Sequence, residues 1–206
     1  MAMRRDVVFF TVLLLFCIAV SLFAVSMGFG SSLNMFMRLL ALNGFISLSI
    51  ATIMTPFIKE ISLFLKKPFI RVHHYFAAIG LVLVTLHPII LAIETLNPAV
   101  FLPNFDSTYL FLFYGGRQAL LIIYVAVAAV LLRKRITGSW RLFHALMYVA
   151  LFFAVVHGNL SGTDFENIFV ALVFNALFLS AIAAFALKRW KSYRIKAKKM
   201  ILARAA

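Results

Sequence analysis

Six stretches of predominantly apolar residues, at 7–28, 34–58, 73–94, 108–132, 142–160 and 166–187, run through this chain of 206 residues. A helix of about 20 residues rises about 30 Å, the thickness of a bilayer's hydrocarbon core. In that medium every backbone polar group must be paired within the segment, so apolar runs of this length fold as helices. The charged fraction is 13%, about half that of an ordinary soluble domain. The fold class expected is therefore all-α and integral to a membrane: one six-helix bundle, residues 1–206, with a basic tail at 188–206. The first stretch follows Arg4 and Arg5 but exceeds the apolar core of a cleavable signal peptide, and Gly28-Phe29-Gly30 is a poor cleavage site.

The net charge of +14 invites a nucleic-acid reading, which the positions of the charges reject. Arg4, Arg5, Lys59, Lys66, Lys67, Arg71, Arg133, Lys134, Arg135, Arg141 and the tail from Lys188 to Arg204 fall on one side of a six-span arrangement. Glu94, Asp106, Asp164 and Glu166 fall on the other, where the connections hold no Lys or Arg. The positive-inside rule puts both termini in the cytoplasm of a multi-pass plasma-membrane protein. The tail, with Trp190 at the interface, reads as an anchor attracted to anionic lipid, with docking of a cytoplasmic partner as a second role. Connections are short: Asn97-Pro98 and Pro103-Asn104 break helix on one side, and Ile136 to Trp140 forms a turn on the other. Ser161, Thr163 or Asp164 is expected to cap the sixth span.

Ionisable groups inside a membrane are costly and mark function. The five histidines are His73, His74, His87, His144 and His157, confined to the third and fifth spans or their borders. His87 and His157 each lie 16 residues beyond an arginine at a border, Arg71 and Arg141, and so at one depth. His73 and His144 match near the opposite face. Two facing pairs of imidazoles separated by roughly 20 Å suit two six-coordinate haem irons, each taking one ligand from each helix. Helical phase selects His73 over His74: His73 and His87 are about 40° out of register, His74 and His87 about 140°. His144 and His157 suffer the same mismatch of about 140°. Either the fifth helix winds differently between them, or the two haems lie on different sides of its axis. Pro88 removes a backbone donor and frees the carbonyl of Val84, which turns His87 toward its cofactor or simply kinks the helix.

These residues resemble the ferric reductase-like transmembrane domain family, which includes ferric-chelate reductases, NADPH oxidases and the haem-binding membrane subunit of the bacterial methionine sulfoxide reductase system. The matches are His73 with His87-Pro88, Trp140-Arg141-Leu142-Phe143-His144 with His157, and Arg38 with Gly44. The resemblance covers about Met37 to His157. It implies that His73 and His144 hold a haem b near the cytoplasm and that His87 and His157 hold one near the outer face. The chain has no fused flavin and nicotinamide domain, as in the sulfoxide reductase subunit, yet it keeps His73, which that subunit usually lacks. Two haems are therefore expected, one being possible, and the branch of the family is open.

Arg38 and Arg117 are the only basic residues outside the cytoplasmic set. A buried guanidinium needs an anion, which the propionates of the outer haem would supply; the other reading is that each snorkels to the interface. Cys17 stands alone, which excludes an internal disulfide or a cysteine-ligated cluster. No GxGxxG turn or P-loop occurs, so flavin is not expected to be bound here and another molecule must deliver electrons. The expected function is a di-haem b electron conduit, the membrane component of an oxidoreductase. Its donor would be a cytoplasmic flavoprotein reductase or a quinol, and its acceptor an extracytoplasmic ferric chelate, dioxygen or periplasmic oxidoreductase. The alternative is a metal-ion or proton transporter using the same histidines, which calls for carboxylates or broken helices beside them.

Overall fold

The computed structural model describes residues 5–26 and 31–205, without the side chains of residues 199 and 202–205. Among these it is helical throughout its regular structure: α1 (Arg5–Ser26), α2 (Ser32–Ile53), α3 (Ile58–Leu65), α4 (Phe69–Thr95), α5 (Thr108–Phe113), α6 (Gly115–Leu131), α7 (Trp140–His144), α8 (Met147–Ser161) and α9 (Ile168–Ala205). Five helical stretches are long and apolar enough to cross a membrane: α1, α2, α4, α7 continued by α8, and the first 31 residues of α9. This is a multi-pass membrane protein. The expected end of the first span at residue 28, with Gly28-Phe29-Gly30, lies outside the described residues.

Several boundaries differ from the sequence-based ones, each for a local reason. α2 stops at Ile53 rather than 58, and the chain turns into α3, whose end is set by Lys66 in the left-handed region at φ 52°. Pro68 then opens α4, which begins at Phe69 and remains one helix through Pro88. Leu96, also left-handed at φ 50°, ends α4, and the Asn97 side chain accepts from the Ala99 N–H to start a short 3₁₀ turn at Pro98–Phe101. The predicted fourth span, 108–132, is divided at Tyr114, which leaves α6 with only 17 residues. The cap of the sixth span is none of the three residues expected: the Asn167 side chain accepts from the N–H groups of Phe169 and Val170. That helix runs past 187 to Ala205, so the basic tail continues it.

α2 is the hub, packed on α4, on α9 and on α1, while α8 packs on α6 and α9. Phe45 and Ile46 of α2, Leu151 of α8, and Val170 and Phe174 of α9 are buried together at this junction. Without a hydrophobic force between helices in lipid, close backbone approach through small residues holds such pairs. A Cβ on Gly44 would stand 2.7 Å from Val84 Cγ1, and one on Gly80 would stand 2.7 Å from Leu48 Cγ. Gly44→Leu should therefore wedge α2 from α4 and cost about 1–3 kcal/mol, read as a lowered unfolding midpoint in detergent; an unchanged midpoint would contradict this packing. By contrast α4 and α8 barely meet, which leaves a slot between the two histidine-bearing helices.

Candidate functional site

The four histidines predicted on the third and fifth spans share one arrangement. His73 and His87, both on α4, place Nδ1 3.0 Å from the backbone oxygens of Ala51 and Met37, both on α2. His144 at the end of α7 and His157 on α8 place Nδ1 3.4 Å and 2.6 Å from the oxygens of Ala126 on α6 and Phe113 on α5. Each histidine-bearing helix is thus backed by the segment that precedes it in the chain. A carbonyl oxygen only accepts, so Nδ1 must carry the hydrogen and donate it. The lone pair of every ring then sits on Nε2, the state a metal ligand requires.

Two of the four oxygens are freed by breaks in helices. At the end of α2 the Thr55 N–H bonds to Thr52 O, so Ala51 O is without its usual helical partner and accepts from His73 instead. At the α5–α6 break Arg117 N–H bonds to Tyr114 O, which leaves Phe113 O for His157. Gln118 Nε2 donates to Phe111 O across the same break. Ser161 Oγ donates to His157 O and lies 2.9 Å from His157 Nδ1, giving that N–H a second acceptor.

The phase mismatch between His144 and His157 is met by altered winding. α7 ends at His144, and Ala145 and Leu146 separate it from α8. Here Ala145 N–H reaches Leu142 O, Leu146 N–H reaches Phe143 O, and Tyr148 N–H reaches Ala145 O, all three-residue spacings. Such winding turns about 120° per residue instead of 100°, which reduces the mismatch, while Ala145 N–H also keeps a four-residue bond to Arg141 O and Ala150 N–H resumes the α-helical spacing to Leu146 O. The His144 ring centre comes to 6.3 Å from that of His73, with the rings at 79°. Lys188 of α9 is close enough for its charge to act on both. His74, one residue from His73, is exposed.

His87 and His157 line one cavity of about 460 Å³, within the size range of small-molecule and cofactor sites. It occupies the slot between α4 and α8. Its walls are mostly apolar, among them Phe45, Leu48, Val84, Leu120 and Ile123, and Arg38, Arg117 and Asp164 are its charged residues. Gly116 forms the floor beneath His157: a Cβ there would lie 2.8 Å from Cδ2 and 3.1 Å from Nε2 of that ring.

The two arginines have protein partners. Arg38 Nε lies 3.1 Å from both carboxylate oxygens of Asp164, and its terminal nitrogen donates to Ala24 O at 3.1 Å and to the same carboxylate. Asp164, named from the sequence as a candidate cap of the sixth span, is instead buried against Arg38. Arg117 donates to Leu102 O at 2.9 Å and sits 4.2 Å from the Tyr114 ring centre, tying the 96–107 connection over the cavity. Asp164 and Ser161 were not anticipated as cavity residues; the one available signal was that a guanidinium in Arg38's position needs an anion. Asp164→Ala should strand that charge and cost about 3–5 kcal/mol. The paired replacement Arg38→Met with Asp164→Leu should recover most of the loss in detergent unfolding, and equal losses in both variants would contradict the argument.

Among the described residues no group of three or more His, Cys, Asp or Glu side chains converges to cage a bare metal ion. Comparison with family models, with curated proteins and with solved structures finds no match for the chain.

Proposed function

We propose that this multi-pass membrane protein is a di-haem b electron conduit of the ferric reductase-like kind, and the observation that carries the proposal is the common state of its four histidines. Four imidazoles in two facing pairs, each with Nδ1 committed to a backbone oxygen and Nε2 left as the donor atom, are what two bis-histidine irons need. The spacing of the first pair fits. Metal–nitrogen bonds of about 2.0 Å on either side of one ion, with about 1.2 Å from Nε2 to each ring centre, give about 6.4 Å, against 6.3 Å between His73 and His144. The second pair fits through its cavity, which is mostly apolar, is flanked by two arginines and is open between helices that hardly touch. With one cysteine in the chain, thioether attachment through a CxxCH motif is absent, which favours the b type.

In this reading α5 and α6 together make a sixth pass, and the basic end faces the cytoplasm. His73 and His144 would hold one haem near that face, and His87 and His157 the other. Bound there, each haem would supply a one-electron centre with no open coordination position. The protein's own residues then have defined tasks. The carbonyls of Met37, Ala51, Phe113 and Ala126 fix the ring orientations, Asp164 neutralises Arg38 beside the cavity, and the apolar walls exclude water. Arg117 has capacity for an additional anion such as a propionate. Electrons would come from a separate cytoplasmic flavoprotein or from quinol and leave to an acceptor on the far side. The transporter reading gains the helix breaks beside His144 and His157, but the buried carboxylate Asp164 is already held by Arg38 and, among the described residues, no three donors converge on a bare ion.

The test is a reduced-minus-oxidised spectrum with pyridine haemochrome quantitation of the purified chain in detergent. About two b haems per chain are expected. One would move the protein to the sulfoxide reductase branch, and none after expression with ample haem would overturn the proposal.

A further inference from the structure

Ser161 is the last residue of α8, one helical turn beyond His157. Its hydroxyl oxygen lies 2.8 Å from His157 O and 2.9 Å from His157 Nδ1. A serine within a helix commonly spends its hydroxyl on the carbonyl four residues back and on nothing else. Here the same bond has a chemical consequence. A hydroxyl carries one hydrogen, and once that hydrogen is given to His157 O, the oxygen can only accept from the ring. Phe113 O, 2.6 Å from the same nitrogen, can also only accept. The single Nδ1–H of His157 is therefore shared between two oxygens, one from the end of α5 and one from α8 itself.

Among the described residues the other three rings are held more simply. Nδ1 of His73 and of His87 each meets one backbone oxygen at 3.0 Å, and that of His144 meets one at 3.4 Å. His157 combines the shortest of the four contacts with an additional acceptor. Ser161 also lines the cavity that His87 and His157 share. Acceptors at the far nitrogen draw its proton outward and make an imidazole a more basic ligand. A more basic axial ligand stabilises oxidised iron over reduced iron, and hydrogen bonding around the ligands is one of the protein's levers on a haem's potential.

We propose that Ser161 is a positioning residue for the outer centre: its hydroxyl oxygen fixes the His157 ring and lowers the reduction potential of the haem that ring would ligate. The redox consequence rests on the proposed function; the hydrogen bonds that produce it do not. The reduced form of that centre is a stronger reductant toward an acceptor on the far side than Phe113 O alone would make it. Removal of the hydroxyl takes away one acceptor and leaves the Phe113 carbonyl to hold the tautomer, so the haem stays and its potential rises.

The test is a potentiometric titration of the full chain in detergent, with haem counted in each variant. Ser161→Ala should keep the parental haem count and move one b-haem wave upward by at least about 30 mV, roughly a threefold change in the one-electron equilibrium, leaving the other wave in place. Ser161→Thr, which restores a hydroxyl, should return that wave to the parental potential. Ser161→Cys, a close match in shape with only a weak acceptor, should move it in the same direction as alanine and gives the reading should the alanine variant shed haem. Unmoved waves in both Ser161→Ala and Ser161→Cys would overturn the inference. So would equal movement of both waves, or a shift in Ser161→Thr as large as in Ser161→Ala. A second readout does not need haem. In the reduced chain carrying isotope-labelled histidine, the His157 Nδ1–H proton resonance, assigned by its loss in His157→Ala, should move upfield in Ser161→Ala. Movement of that resonance in a chain that carries no haem would overturn the proposed function and its tuning while leaving Ser161 as the group that positions the ring; a resonance that stays in place would remove the positioning role itself.

Discussion

Alanine at His87 or at His157 should take the haem content from about two per chain to about one, while alanine at His73 or His144 should remove the other equivalent. The expectation follows from the geometry of ligation. In the proposed reading a haem would be held by one imidazole from α4 and one from the α7–α8 segment, and would lose one of its two protein ligands when either is removed. The truncation at His157 also leaves Phe113 O, freed by the α5–α6 break, without its donor, which adds about 1–3 kcal/mol of desolvation cost. A double variant within a pair, His87→Ala with His157→Ala, should lose no more haem than either single variant. A double variant across pairs, His87→Ala with His144→Ala, should lose both. His74→Ala is the control, since His74 is exposed beside His73, and its spectrum should be that of the unaltered chain. Pyridine haemochrome counts and reduced-minus-oxidised spectra read all of these outcomes, and the retained haem reports that the chain has folded. Loss of both haems from every single variant would mean that the pairs are not independent; unchanged haem in His87→Ala would break the pairing.

How much of this was legible before the coordinates depends on whether the determinant was a side chain or a stretch of backbone. Apolar runs interrupted by basic residues announce helices and their borders, so the facing of His73 and His144 could be anticipated by counting from Arg71 and Arg141. The choice of His73 over His74 as the inward ring likewise followed from helical phase. The unwinding at Ala145 and Leu146 could be required but not located, since neither residue is Gly or Pro and both are ordinary helix formers. Gly115-Gly116 did offer a signal for the break after Tyr114, yet it was absorbed into one continuous span. The four carbonyls that orient the rings belong to Met37, Ala51, Phe113 and Ala126, whose side chains have no part in the contact, so their identities were silent. The role of Asp164 was illegible because its burial comes from tertiary pairing with Arg38, 126 residues away.

Gly116→Leu should abolish the His87/His157 haem and spare the other. The position is sensitive for two separate reasons. A Cβ placed there would already stand 2.8 Å from His157 Cδ2 and 3.1 Å from Nε2, closer than atoms settle without movement, and the ring cannot simply swing aside. Its Nδ1 is held by Phe113 O at 2.6 Å and by Ser161 Oγ at 2.9 Å. The remaining atoms of a leucine would extend into the cavity that Gly116 lines with His87. Gly116→Ala separates the two effects: it presses on the ring without filling the space, so it should retain haem but displace the potential or the spectrum of that centre. Gly138→Ala, where an added Cβ meets nothing within 4 Å, should match the unaltered chain and shows that loss of a glycine by itself is harmless. If Gly116→Leu kept both haems, the cavity between α4 and α8 would not be the place where the second cofactor is held, and His157 would have to serve the bundle through its hydrogen bonds alone.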